Sequence, residues 1–97
     1  MDGGGAITTV VKYRRGSRPE PFKREKLHKS IVAACLASGS PMGPAEITAR
    51  RVVDDVEDWL EKRPEVTTND IRRVAAQTLR TYHPDASYLY EHHRTTL

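Results

Sequence analysis

The sequence predicts an α+β fold, a small N-terminal β-hairpin packed on a bundle of about four helices. Three observations lead there. Ile7 to Lys12 is rich in β-branched side chains and runs into a glycine-containing turn, Arg15-Gly16-Ser17. Three later segments each carry one apolar stripe at helical spacing. Breaks containing Gly, Pro or Ser separate these segments, with no internal repeat and no long linker.

The first strand covers residues 7–12 and a shorter return strand covers about 18–22. Pro19 and Pro21 remove two backbone donors from the return strand, which predicts an edge position or an irregular one. So small a hairpin needs a helix over one face. The first helix runs from Arg24 to Ala37, with Leu27, Ile31, Ala34 and Cys35 on its apolar stripe. Ser38-Gly39-Ser40-Pro41 ends it, and Pro44 suits the first turn of the next helix. That second helix covers roughly Ala45 to Lys62. Its packed stripe is Ala49, Val52, Val53, Val56, Trp59 and Leu60, and Asp54, Asp55, Glu57, Asp58 and Glu61 form its wet side.

Thr67-Thr68-Asn69-Asp70 has capping-box spacing, with Asp70 in place of the usual Glu. A third helix follows, with Ile71, Val74, Ala75, Leu79 and Tyr82 inward, and His83-Pro84 stops it. A last helical segment, about Asp85 to Thr95, turns Leu89 with Tyr88 or Ala86 toward the bundle.

The length of 97 residues suits one domain, read as a flexible tail at 1–7 and a folded unit at 8–97. Hydrophobic residues at 37% against 30% charged argue for a folded chain over a disordered one. Cys35 is the only cysteine, which excludes an intramolecular disulfide. The N-terminus lacks the basic and apolar regions of a secretory signal, and no apolar run is long enough to span a bilayer. A cytoplasmic protein with no membrane partner is the expectation.

Catalytic patterns are weak. No Gly-x-x-x-x-Gly-Lys-Ser/Thr loop is present. His28 and Cys35 lie seven apart on one helix, but Cys35 belongs to the apolar stripe and reads as a small buried thiol. His28, His83, His92 and His93 have no cysteine pair beside them, so no structural metal is expected. Asp54, Asp55 and Asp58 read as a solvated helical face. The chain is expected not to be an enzyme.

The charge is uneven around a net +3. Lys12, Arg14, Arg15 and Arg18 flank the hairpin turn, while Lys23, Lys26 and Lys29 stand at and beyond the start of the first helix. Unpaired N–H groups and the helix dipole at that start favour an anion. Phosphate between the strand lysine and the helix start is one reading, with the hairpin backbone left to read a base edge. A solvated basic surface is the other.

Four segments together sharpen this choice: Val10-Val11-Lys12, Glu20-Pro21-Phe22-Lys23-Arg24-Glu25-Lys26-Leu27, Thr67-Thr68-Asn69-Asp70-Ile71 and Ser87-Tyr88-Leu89-Tyr90. In this order and spacing they resemble the ATP-cone domain over about residues 8–95. That module stands at the N-terminus of many ribonucleotide reductases and inside the bacterial repressor of their genes. The resemblance implies ATP or dATP, with Mg2+ as a companion ion, held between hairpin and helices. It gives Lys12 and Lys26 to the phosphates, Val10 and Val11 to the apolar strand beside the base, and polar contacts to Glu20 and Thr68. It leaves Tyr88 and Tyr90 in the core.

Two departures from the family pattern stand out. The usual Lys-Arg-Asp-Gly turn is replaced by Lys12-Tyr13-Arg14-Arg15-Gly16, so Arg14 or Arg15 supplies the expected charge. Lys23 occupies the position of an Asp or Asn cap and cannot accept backbone N–H bonds, though it adds a positive charge for phosphate. The implied activity is regulatory, with nucleotide binding coupled to self-association as a homo-oligomer or to a separate effector such as a ribonucleotide reductase. Two alternatives remain: a small nucleic-acid-binding regulator that uses the basic hairpin, and an adaptor whose nucleotide site has decayed.

Overall fold

The computed structural model describes residues 9–11 and 18–93. A three-stranded sheet packs on four helices. The order along the chain is β1 (Thr9–Val11), β2 (Glu20–Pro21), α1 (Arg24–Ala37), α2 (Met42–Leu60), β3 (Glu65–Thr67), α3 (Thr68–Tyr82) and α4 (Pro84–His93). The expected residues 7, 8 and 12 of the first strand, the turn at 15–17 and the chain beyond 93 lie outside the described residues.

The hairpin is antiparallel, with Val10 opposite Glu20, and β2 with its proline is an edge strand as its composition requires. The third strand is a correction to the expected plan. β3 lies parallel to β1 on its other side, pairing Val10 with Val66 and Val11 with Thr67, and Thr9 N–H donates to the Pro64 carbonyl at 2.9 Å. Three residues after a proline, the last of them a helix cap, are too few to show alternation. What fixes them is tertiary: Val66 is buried, and the ladder supplies its backbone partners.

α1 has the expected bounds, and Leu27, Ile31, Ala34 and Cys35 are all buried. Burial pushes the Cys35 thiol pKa up, as suits a packed and unreactive cysteine. The helix ends in a Schellman motif. Ser40 N–H reaches the Cys35 carbonyl and Gly39 N–H the Leu36 carbonyl, both at 3.0 Å, with Gly39 at φ +101°.

α2 starts three residues earlier than its apolar pattern suggests. Pro41 takes the N-cap position, and Pro44 sits in the first turn, where its missing N–H has no intrahelical partner to lose. Val52, Val53 and Val56 are wholly buried, whereas Trp59 is only half-buried and carries the Arg63 guanidinium 4.4 Å from its ring centre.

Thr67 caps α3, and both bonds of the capping box form. Asp70 N–H donates to Thr67 Oγ1 at 3.0 Å and Thr67 N–H to Asp70 Oδ2 at 3.1 Å. Hydrogen bonding from the Thr67 N–H, and then from its side chain, holds the Asp70 carboxyl pKa below its ordinary value. On the inner face Ala76 joins Ile71, Ala75 and Leu79. Tyr82 was expected inside and is not. It is exposed, with Arg51 facing its ring and its hydroxyl donating to Asp55 Oδ2 at 2.8 Å.

His83, between α3 and α4, ties their link to the one between α1 and α2. Ala86 N–H, at the start of α4, donates to Nδ1 at 3.3 Å, so Nε2 carries the proton and faces the hydroxyls of Ser38 and Ser40 at 3.0 and 2.9 Å. On α4 the buried residues are Ala86, Ser87 and Tyr90, with Leu89 half-buried. Tyr88, also expected in the core, is 60% exposed and stacks on His92 with ring centres 3.9 Å apart. Its position two residues before Tyr90 puts it on the opposite side of the helix. Buried Ser87 is satisfied by donating to the Ala76 carbonyl at 2.8 Å.

Two glycines give opposite expectations. Gly39→Ala should lower stability by about 1–2 kcal/mol, the cost of a Cβ in the left-handed region. Gly43→Ala, in the first turn of α2 with open space around it, should raise stability by about 0.5–1 kcal/mol. Urea titration of both variants reads the two signs.

Burial raises the Tyr90 phenol from 10.0 to about 12, against opposing effects of the Arg72 charge and the Ser30 hydroxyl. The folded pKa exceeds the unfolded one, so this contribution is complete below the unfolded pKa of 10.0 and fades as pH rises toward about 12. Tyr90→Phe should therefore flatten the alkaline fall in stability over that window, as followed by circular dichroism.

Candidate functional site

One cleft gathers residues from four elements. Val10 comes from β1, Glu20 from β2, Phe22 and Lys23 from the short link to α1, Lys26 and Leu27 from α1, and Thr68 and Ile71 from α3. It is an open cleft, with about 340 Å³ of empty space when its solvent-filled mouth is counted. Half of its lining is apolar (Val10, Phe22, Leu27, Ile71) and half is polar or charged (Glu20, Lys23, Lys26, Thr68).

Local folding explains the set. Lys23, Lys26 and Leu27 are three and four residues apart at the start of α1, and Thr68 and Ile71 are three apart at the start of α3. Both helices thus turn their first-turn faces to the same space. Lys23 is the N-cap of α1 and makes no side-chain cap bond, so the N–H groups at that end have no acceptor from it. Thr67 makes the cap of α3, which frees its neighbour Thr68 for the cleft. The Oγ1 of Thr68 is buried without a hydrogen-bond partner among the described residues. A buried orphan hydroxyl is costly unless something else satisfies it.

The electrostatics are mixed. Lys26 Nζ lies 3.8 Å from Glu20 Oε1 across the mouth, and both side chains are partly exposed. Lys23 adds a second positive charge. Among the described residues no group of three or more His, Cys, Asp or Glu side chains could hold a metal ion.

Of the residues singled out from the sequence, Val10, Glu20, Lys23, Lys26 and Thr68 line this cleft together. Val11 is half-buried in β1, paired with Thr67, and is not among the lining residues. Lys12, Arg14 and Arg15 lie outside the described residues. Sequence reasoning left out Phe22, Leu27 and Ile71. The signal for two of them was present, since Leu27 follows Lys23 by four and Ile71 follows Thr68 by three, the spacing that puts side chains on one helical face. They had been given wholly to the core, and the structure gives them to core and cleft alike.

Neither the curated proteins nor the solved structures include a significant match to the chain. A family comparison does: residues 9–94 match the ATP cone domain. The match spans both strands of the hairpin, all four helices and every described residue of the cleft. This chain, with its hairpin-and-bundle fold, belongs to the ATP-cone family.

Proposed function

We propose that the chain is a regulatory module that binds ATP or dATP in this cleft and catalyses no reaction. Membership of the ATP-cone family supports a nucleotide-binding regulatory role. The observation that carries the finer reading is the meeting of Lys23, Lys26 and the orphan Thr68 hydroxyl around an apolar floor. Lysine ammonium groups and an uncapped helix start favour phosphate oxygens. The apolar side chains suit the faces of a base. Thr68 Oγ1 is satisfied by a polar atom of the ligand.

Glu20 is the one carboxylate on the cleft among the described residues, which makes the phosphates themselves the main holders of any Mg2+. Lys12, Arg14 and Arg15 are proposed as further phosphate partners from the hairpin. Val11 supports the site through its pairing with Thr67.

Output follows from linkage. A nucleotide that touches β1, β2, α1 and α3 at once binds most tightly to the state in which they are closed together. Any surface that differs between open and closed states then responds to nucleotide, whether it meets a second copy of the chain or a separate effector. A nucleic-acid-binding role makes a contrary forecast, with steep loss of affinity in salt and indifference to mononucleotides.

Titration calorimetry with Mg-ATP, Mg-dATP and Mg-GTP tests the reading. Adenine nucleotides should bind in preference to GTP, and Lys26→Ala should weaken them by about tenfold, as expected for one charge-assisted phosphate contact. Thr68→Val should weaken binding by roughly three- to tenfold. The same variant should leave the ligand-free chain as stable as the parent or more so, because it removes an unsatisfied buried hydroxyl. Absence of adenine nucleotide binding by the parent refutes the proposal.

A further inference from the structure

The two cleft lysines sit on a helix end that has no side-chain cap, yet the cleft requires that end to hold its place. α1 begins at Arg24, one residue after Lys23 and two before Lys26. Arg24 is thus off the face that turns toward the cleft. It reaches the other way, to α2. Its Nη2 meets Asp54 Oδ1 at 2.9 Å, and its Nη1 donates to Glu57 Oε1. Asp54 and Glu57 are three apart on α2, neighbours on one helical face. The planar fork of a guanidinium suits a pair of carboxylates in a way no ammonium does. The hydrogen bond to Asp54 raises the Arg24 pKa, against a smaller opposing effect of burial.

We infer that Arg24 is the positioning residue of the site: forked across Asp54 and Glu57, it pins the uncapped first turn of α1 so that Lys23 and Lys26 face the cleft. This rests on the nucleotide reading for its consequence in binding, though not for the anchoring of the helix. Two features distinguish the role from that of an ordinary surface ion pair. The pair joins two helices far apart in sequence, |i−j| being 30 and 33, whereas most of the support a helix end receives is local. Its arginine is also flanked within the same turn by both described cations of the cleft. An exposed pair used only for stability contributes little. A pair that sets the place of two ligand groups is read in affinity.

The test uses the full chain in four forms: parent, Arg24→Gln, the double variant Asp54→Asn with Glu57→Gln, and all three changes combined. Amide hydrogen exchange is measured without ligand at Leu27, His28 and Lys29, whose N–H groups bond back to the first-turn carbonyls. Mg-ATP affinity is measured by calorimetry. Arg24→Gln and the double variant should each speed exchange at these amides by roughly three- to tenfold, leaving Leu79 unchanged, and weaken ATP by a similar factor. The combined variant should be no worse than either, since both remove one interaction.

Unchanged exchange at Leu27 to Lys29 in Arg24→Gln overturns the inference. So does a double variant that binds ATP like the parent while Arg24→Gln does not, because Arg24 would then touch the ligand itself. Faster exchange in the variants with no ATP binding even by the parent supports the helix anchor and refutes the nucleotide reading instead.

Discussion

The cleft depends on one residue being paired on both sides. Val10 sits in the central strand, opposite Glu20 of β2 and beside Val66 of β3. From Glu20 the chain needs only three residues to reach Lys23 at the head of α1, and from Val66 only two to reach Thr68 at the head of α3. A sheet of two or three residues per strand has too few hydrogen bonds to stand alone. It persists because Val10 and Val66 are buried against the helices. The apolar core thereby fixes the strand register, and the register brings two helix beginnings to one opening.

Those two beginnings are built differently. α3 has a complete capping box and is closed upon itself at Thr67 and Asp70. α1 has a lysine at its cap that makes no side-chain cap bond, so first-turn N–H groups without partners inside the helix and two ammonium groups stand at the cleft, one of them beside Glu20. One end carries a closed capping box beside an orphan hydroxyl, and the other is electropositive, with Arg24 paired to α2 behind it. On the proposed reading, a ligand with phosphate at one end and hydrogen-bonding ring atoms at the other satisfies both, which unites the departures from ideal helix design in one explanation.

Much of this was legible in the sequence. The apolar stripes located the core of α1 and α2, and Thr67 with Asp70 announced the start of α3 because a capping box is a local interaction written in four consecutive residues. The proline-bearing return strand was recognisable as an edge. β3 was not, because Glu65-Val66-Thr67 is held by pairing to a strand over fifty residues away and carries no pattern of its own. Tyr82 and Tyr88 were read inward because aromatic rings usually are; polar partners at the surface hold both instead, Asp55 and Arg51 for one and His92 for the other. For the cleft, Lys23 and Lys26 were marked by the basic run at the start of α1, and Glu20 and Thr68 by their resemblance to a family pattern. Leu27 and Ile71 were concealed by serving core and cleft together.

The most direct test of the account is an isotope-filtered nuclear Overhauser experiment on the methyl-labelled chain saturated with Mg-ATP. Contacts from the adenosine protons to methyl groups of Val10, Leu27 and Ile71 are the predicted result. Adenosine contacts confined to methyl groups of α2 or α4, with none to those three residues, would contradict it.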